Sequence, residues 1–155
     1  MLKSIDPILN ADVLYALRAM GHGDDVVIVD TNFPADAVAR QTVTGRLLRI
    51  DNVTAARAAR AILSVLPLDS FVEHPVVRME IVGKPDEILP VQVEVQREVD
   101  AAHGGPLPMR SAERFAFYEL AKKCYCIIQT GERRFYGNFV FRKGVIGPDA
   151  EQGGS

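Results

Sequence analysis

The sequence predicts an α/β fold, in which one compact domain carries a mostly parallel sheet flanked by helices. Helical segments alternate with short apolar strands along the chain, as in proteins with parallel sheets. The strand at residues 25–29 is almost entirely apolar and β-branched, which is typical of a strand buried on both faces of a sheet. With 155 residues and 48% hydrophobic side chains, the chain can bury one core.

The first helix and the first strand contain the stretch around which the chain is organised. Asn10 or Asp12 can cap a helix over residues 11–20, whose apolar side chains recur at helical spacing. We expect Gly21 to end this helix. The strand 25–29 follows and stops at an aspartate.

The middle of the chain predicts a short helix, a strand and a long helix. Residues 35–40 indicate a short helix or a helical turn, and residues 46–50 are a strand candidate. Asp51 or Asn52 can cap an alanine-rich helix over residues 53–65. These segments continue the alternation of strand and helix.

The second half of the chain predicts three strands and two helices. A strand is expected at residues 76–82. The charged positions of residues 90–102 favour a helix there, although the valines alone would allow a strand. Ser111 is expected to cap a helix over residues 112–123. The last two strands are expected at 124–130 and 138–142.

Composition and charge argue against several classes of partner. A net charge of −2 with 25% charged residues is ordinary for a soluble globular protein, and no basic run indicates nucleic acid or a membrane surface. No apolar run approaches the roughly 20 residues of a transmembrane helix, and the N-terminus lacks the pattern of a secretory signal peptide. We therefore expect a cytoplasmic protein with no nucleic-acid or membrane partner.

Short motifs of several enzyme classes are also missing from the sequence. It contains no glycine-rich dinucleotide or P-loop motif, no serine hydrolase elbow and no zinc protease motif. Its two cysteines, Cys124 and Cys126, lie in one apolar run, so we expect core thiols rather than a disulfide or a metal site. We expect neither a cofactor nor a metal.

A histidine and an aspartate flank the first strand. His22 lies between Gly21 and Gly23, and Asp30 follows the carboxyl end of the strand, where α/β sheets bind ligands. Because histidine exchanges protons near neutral pH, the two side chains are candidates for one polar site. The alternative is that the Gly-His-Gly turn only stops the helix and that Asp30 only forms the turn before Pro34.

A second polar cluster lies in the last third of the chain. Arg114 and Tyr118 are four residues apart and share one face of a helix. Tyr136 and Asn138 would point to one side of an extended segment, and Gly137 would let a ligand approach the backbone. These side chains, together with the histidine and the aspartate, form a hydrogen-bonding set typical of a sugar site. The alternative is that residues 136–138 are only a turn.

Seven blocks, each weak alone, occur in a specific order between residues 2 and 145. They are Met20-Gly21-His22-Gly23-Asp24 with Asp30, Asn32-Phe33-Pro34, Leu66-Pro67-Leu68-Asp69, Arg114-Phe115-Ala116-Phe117-Tyr118-Glu119, Thr130-Gly131-Glu132, Tyr136-Gly137-Asn138 and Lys143-Gly144. As a set they resemble the ribose pyranase/fucose mutarotase family. The resemblance implies a sugar mutarotase/pyranase domain over residues 1–146. It also implies a monosaccharide ligand and a ring-shaped homodecamer with its sites at contacts between neighbouring subunits. Residues 147–155 are rich in glycine and in acidic or small residues, and we expect them to form a flexible tail.

The resemblance also implies roles for single residues. His22 is expected to be the catalytic acid, and Tyr136 is the candidate for the second proton-transfer group because ring opening needs two proton transfers. The expected substrate-binding residues are Asp30, Arg114, Tyr118, Tyr136, Gly137 and Asn138.

Four interpretations of the function stay open. The block at residues 114–118 favours interconversion of the α and β anomers of L-fucose by acid/base-catalysed ring opening and closing. The same chemistry would also convert pyranose and furanose forms of D-ribose. A protein with the same pocket could instead bind a monosaccharide without catalysis, or form a purely structural ring.

Overall fold

The computed structural model describes residues 1–150, in which helices and strands alternate as expected. The helices are α1 (Ala11–Ala19), α2 (Ala35–Ala39), α3 (Ala55–Leu63), α4 (Pro90–His103) and α5 (Arg114–Lys123). The strands are β1 (Asp25–Val29), β2 (Leu48–Ile50), β3 (Val76–Met79), β4 (Arg110–Ala112), β5 (Cys126–Thr130) and β6 (Phe139–Arg142). Every predicted element is present, β1 with the predicted bounds and the others with one or both ends shifted, and β4 is additional.

The six strands of the described residues form one mixed sheet in the order β2-β5-β1-β6-β3-β4. The pairs β2–β5, β5–β1 and β3–β4 are parallel, whereas β6 is antiparallel to both β1 and β3. Five strands therefore run in one direction and β6 runs in the other. The carboxyl ends of β1 and β3 meet the start of β6 at one edge of the sheet, and ligands commonly bind at this edge in α/β folds.

Helices cover both faces of the sheet, so the strands are buried on both sides. Helices α1, α3 and α4 pack on one face together with Val26 and Ile28 of β1. Helices α2 and α5 pack on the other face together with Val27 and Val29. All four of these β1 side chains are fully buried, which confirms the buried strand predicted from their apolar pattern.

The start of α5 differs from the prediction. Ser111 does not cap this helix, because it lies in β4, where its hydroxyl donates to Glu80 Oε2 at 2.9 Å. The helix begins at Arg114 and is capped by Glu113, whose carboxylate accepts the backbone N–H groups two and three residues further on, at 2.9 and 3.1 Å. The short edge strand thus contains Ser111 and Ala112, which the capping pattern assigns to the cap and the first residue of the helix.

The cap of α3 also lies further along the chain than predicted. Neither Asp51 nor Asn52 caps it, because Asn52 has a φ of 63° and belongs to the preceding turn. Thr54 caps the helix, and its side chain accepts the backbone N–H of Arg57 at 3.1 Å. The helix predicted from the valine-containing segment is confirmed as α4, which ends at Gly104 with a φ of 84°.

Both cysteines are core thiols, as predicted. Cys124 and Cys126 are free and buried, and they belong to the hydrophobic clusters on opposite faces of the sheet. Burial raises the pKa of the Cys126 thiol to about 12 and also raises that of Cys124. Both thiols are therefore protonated at neutral pH and unsuited to nucleophilic chemistry.

Two further observations concern residues 1–150. None of their helices combines the length and the apolar character needed to cross a membrane. No group of three or more histidine, cysteine, aspartate or glutamate side chains among them is placed to hold a metal ion. Of the predicted tail, residues 147–150 are exposed, and 151–155 lie outside the described residues.

Candidate functional site

A cavity of about 250 Å³ opens at the edge of the sheet where β1 and β3 end. The loop after β1, the end of β3, the start of α5 and the segment before β6 contribute its walls. The lining residues are Asp30, Asn32, Phe33, Met79, Arg114, Tyr118, Phe135, Tyr136 and Asn138. The structure therefore brings five of the six expected substrate-binding residues to one cavity. The sixth, Gly137, lies between two of them in the chain.

Asp30 is buried beside this cavity, with 2% of its surface exposed. Its Oδ1 atom accepts the backbone N–H groups of Asn32 and Phe33, each at 2.9 Å, and Oδ2 accepts that of Gly137 at 3.1 Å. Burial raises the pKa of Asp30, although these hydrogen bonds oppose the increase. Asp30 thus stabilises the turn before Pro34, as the alternative interpretation of the sequence expects. Its bond with Gly137 also links that turn to the opposite wall of the cavity.

Tyr136 has an unusual backbone conformation at the cavity. Its φ of 60° lies in the left-handed region, which costs a residue other than glycine about 1–2 kcal/mol. Its phenol oxygen accepts the backbone N–H of Val82 at 3.3 Å. Since the phenol accepts this bond, its own O–H hydrogen stays available to a ligand.

The two residues after Tyr136 fit tightly against the wall. A Cβ atom on Gly137 would lie 2.9 Å from Glu132 Cγ, so no larger residue fits without movement. Asn138 Oδ1 accepts the backbone N–H of Asp30 at 2.9 Å, and its Nδ2 atom lies 3.8 Å from Met79 Sδ. Because a thioether is a weak acceptor, this amide nitrogen keeps donor capacity for a ligand.

Arg114 and Tyr118 share one face of α5, as their spacing predicts. Arg114 Nε donates to the Tyr118 hydroxyl oxygen at 3.0 Å, and this bond raises the pKa of the guanidinium. The guanidinium carbon also lies 5.5 Å from the ring centroids of both Tyr118 and Phe115. Phe33 contacts the Tyr118 ring edge-on, with the centroids 5.4 Å apart. The pair is therefore held at the mouth of the cavity with guanidinium N–H groups still free to donate.

His22 forms a separate polar site with Asp69. His22 Nε2 lies 3.0 Å from Asp69 Oδ1, and the imidazole ring packs against Phe71 with centroids 5.2 Å apart. The backbone N–H of Phe71 and the His22 side chain lower the pKa of the buried Asp69 carboxyl. An ionised carboxylate only accepts hydrogen bonds, so Nε2 carries the hydrogen in this pair and Nδ1 of a neutral His22 has a free lone pair.

The two polar sites lie at opposite ends of β1. His22 precedes this five-residue strand and Asp30 follows it, so the strand alone separates them by roughly 16 Å. His22 does not line the cavity, and 44% of its side chain is exposed. Within a single chain, the structure therefore does not combine His22 and Asp30 in one site.

Several site residues had no role assigned from the sequence. Asp69 and Phe33 lie in blocks that carried the family resemblance, so the signal was present without a function attached. Met79 and Phe135 line the cavity but have no local signature, because an apolar residue in a strand or a loop is ordinary. Only the tertiary structure could reveal those two.

Comparison with known proteins gives the chain a family. Residues 3–146 match the model of the RbsD / FucU transport protein family. The chain belongs to the RbsD/FucU family. Among its relatives, the human protein named fucose mutarotase is 39% identical over 149 residues, with 94% of each chain covered.

Solved structures of RbsD/FucU relatives agree with the fold described above. Protein Atu2016 is 67% identical with a TM-score of 0.93, and the match covers 95% of this chain and 97% of that one. The fucose mutarotase of Streptococcus pneumoniae, solved in complex with L-fucose, is 32% identical with a TM-score of 0.84, and the match covers 94% of this chain and all of that one.

The cavity of this RbsD/FucU chain suits a small ligand with several hydroxyl groups. Carboxyl, amide, phenol and guanidinium groups surround it, and they include both donors and acceptors. Phe33, Met79 and Phe135 add apolar surface on which the carbon atoms of such a ligand can pack. The His22 site, in contrast, offers one imidazole for proton exchange and no comparable cavity wall.

Proposed function

We propose that this protein is an L-fucose mutarotase, which interconverts the α and β anomers of L-fucose. The observation that carries the proposal is the cavity at the end of β1 and β3, where Asp30, Arg114, Tyr118, Tyr136 and Asn138 converge. Its polar lining supports a monosaccharide ligand. The similarity to the human and streptococcal fucose mutarotases over nearly the full chain supports the reaction and the sugar.

Mutarotation needs two proton transfers and no redox step. A proton leaves the anomeric hydroxyl while the bond between C1 and the ring oxygen breaks, an aldehyde forms at C1, and the ring oxygen takes up a proton. Rotation about the C1–C2 bond and the reverse steps then give the other anomer. Both transfers suit groups that exchange protons near neutral pH, so the reaction needs no cofactor or metal.

His22 and Tyr136 are the proposed proton-transfer groups. Asp69 orients the imidazole and leaves Nδ1 as the nitrogen that exchanges the proton with the sugar. The Tyr136 phenol hydrogen can be donated, because its oxygen accepts from Val82. Tyr118 is similarly free to donate to a sugar hydroxyl, because its oxygen accepts from Arg114. The sugar-binding set is then Asp30, Arg114, Tyr118, Tyr136, Gly137 and Asn138.

This mechanism requires a second copy of the chain, since His22 lies at the opposite end of β1 from the cavity. We propose a ring-shaped homodecamer in which His22 of one subunit reaches the cavity of its neighbour. Exposed aromatic side chains beside the cavity and beside His22 support such contacts, because a subunit interface would bury them. Phe135, which lines the cavity, is 70% exposed, and Phe115 beside Arg114 is 65% exposed. At the other site, Phe71 beside His22 is 74% exposed. The cytoplasmic location stays a prediction.

The test of the reaction is saturation-transfer NMR on the anomeric protons of L-fucose, with D-ribose in parallel. We expect the protein to accelerate α/β exchange of L-fucose with a smaller effect on ribose. Acceleration of pyranose–furanose exchange of ribose alone would contradict the proposal and indicate a pyranase. Fucose binding without any acceleration would indicate a binding protein.

The test of His22 is the variant His22→Gln, with His103→Gln as its control. Removing a proton-transfer group should slow fucose exchange by about 10²-fold or more. His103 is exposed at the end of α4, and its variant should keep the wild-type rate. Near-normal exchange by a folded His22→Gln protein would overturn the assignment.

A further inference from the structure

Gln92 is a polar side chain in an otherwise apolar interface. It is the third residue of α4 and is 0% exposed, and its buried neighbours on the helix are Val91, Val95 and Val99. A buried amide is costly unless its donors and acceptor are paired. The partners of Gln92 therefore indicate what it does.

All the partners of Gln92 are backbone groups, and they define the orientation of its amide. The Nε2 atom donates to the carbonyl oxygen of Met79 at 2.9 Å and lies 3.4 Å from that of Tyr136. The Oε1 atom accepts the backbone N–H of Leu89 at 3.1 Å. Two carbonyl acceptors require the NH₂ group on their side, so the amide cannot be reversed.

Both carbonyl groups belong to residues that line the cavity. Tyr136 has its φ in the left-handed region, a conformation that persists only where the surroundings hold it. Met79 in turn donates its backbone N–H to the carbonyl oxygen of Asn138 at 3.2 Å. Gln92 thus joins the end of β3 to the segment before β6 from behind the cavity wall.

We propose that Gln92 is a positioning residue for sugar binding, which holds Tyr136 and Met79 in the conformation that the ligand needs. The proposal rests on the function proposed above. Gln92 itself does not line the cavity, so its effect is transmitted through the two carbonyl groups that it binds.

The experiment compares Gln92→Met and Gln92→Glu in fucose exchange at a series of fucose concentrations. Methionine keeps the length of the side chain and removes all its hydrogen bonds. Glutamate, compared at a pH high enough to ionise this buried carboxyl, keeps an acceptor for Leu89 and removes the donors. Losing the shared donor should raise KM for L-fucose about tenfold in both variants and change kcat by less than about threefold. A rise in KM with methionine alone would assign the effect to the lost hydrogen bond from Leu89 at the start of α4 and overturn the proposal.

The control is Val95→Ala, which removes buried apolar atoms one turn further along α4. A variant that is only less stable contains less active protein, so it lowers the apparent kcat and leaves KM unchanged. An unchanged KM in both Gln92 variants would make Gln92 a purely structural residue.

Failure of the proposed function is distinguishable from failure of this proposal. If the wild type binds L-fucose without accelerating its exchange, the mutarotase proposal fails, and the fucose affinity of the two Gln92 variants then tests the role of Gln92. If the wild type does not bind L-fucose at all, both proposals fail.

Discussion

Asp69 determines how His22 can act. Its carboxylate is 4% exposed, accepts from both the imidazole and the Phe71 backbone, and leaves the other ring nitrogen of His22 available. Replacing Asp69 by asparagine would put an amide where only an acceptor is needed, and the preference for one tautomer would be lost. The pair therefore links the proposed proton exchange to the stability of the fold.

The variant Asp69→Asn tests this link through the pH dependence of unfolding. Because the pKa of Asp69 in the fold is below its ordinary value of 3.8, the folded state binds fewer protons than the unfolded state in acid. The stabilisation is fully present above pH 3.8 and is lost as the pH falls through the lower pKa of the folded state. We expect the difference in melting temperature between wild type and variant to be largest at neutral pH and to shrink in acid.

The measurement is thermal unfolding between acidic and neutral pH, at one protein concentration because subunit association also affects the midpoint. The exposed Asp86 provides a control, and Asp86→Asn should follow the wild-type profile at every pH. A difference in melting temperature between wild type and Asp69→Asn that stays constant down to the lowest pH would argue against an ionised Asp69 paired with His22.

At the scale of residues, the sequence predicted which polar side chains reach the candidate sites but not all of their hydrogen-bond partners. Asp30, Arg114 and Tyr136 could be selected because chemistry and local spacing favour them. Asp69 lies 47 positions from His22, and Gln92 lies 44 positions from Tyr136. No local pattern predicts pairs at such separations, so their roles emerge only when the chain has folded.

At the scale of elements, helix starts were the least predictable feature. Serine, aspartate and asparagine are common caps, so the sequence favours Ser111 for α5 and Asp51 or Asn52 for α3. The fold uses Glu113 and Thr54 instead, because an edge strand occupies residues 110–112 and a turn precedes α3. A three-residue strand has too few positions to show an alternating pattern.

We expect the cap of α5 to affect sugar binding, because the first two turns of α5 carry Arg114 and Tyr118, which line the cavity. We expect Glu113→Ala to lower the stability by about 1 kcal/mol and to raise KM for L-fucose as the helix start loosens. Thr54→Ala removes the cap of α3, which contributes no residue to the cavity, and should lower stability similarly without changing KM. Thermal unfolding and fucose exchange of both variants would check this, and an equal change of KM in both would contradict it.

At the scale of the whole molecule, alternating elements predicted the α/β class and the burial of β1. They could not predict that β6 runs antiparallel between β1 and β3, because strand partners are chosen across long stretches of chain. Val27, for example, pairs with Ile127 on one side and Val140 on the other. This arrangement brings residues 136–138 back to the carboxyl end of β1 and so forms the cavity wall.

Because the proposed mechanism needs His22 at the cavity, the separation of the two within one chain makes assembly its decisive test. A decamer of chains of 17.0 kDa each would have a mass of about 170 kDa, which light scattering after size-exclusion chromatography can measure. A monomer that catalysed fucose exchange at the full rate would contradict the shared site. Mass alone, however, does not show which subunits contribute to each site.

Mixed assemblies test that point directly. In co-expression of His22→Gln with Arg114→Ala, a site is complete only where the first variant supplies the cavity and the second supplies His22. Each condition is met at about half of randomly formed contacts, so about a quarter of the sites are complete. We expect each variant alone to exchange fucose slowly and the mixture to recover about a quarter of the wild-type rate. Co-expression of His22→Gln with Asp69→Ala is the control, because no subunit then has an intact His22–Asp69 pair. Equal rates in the two mixtures would indicate that each site lies within a single chain.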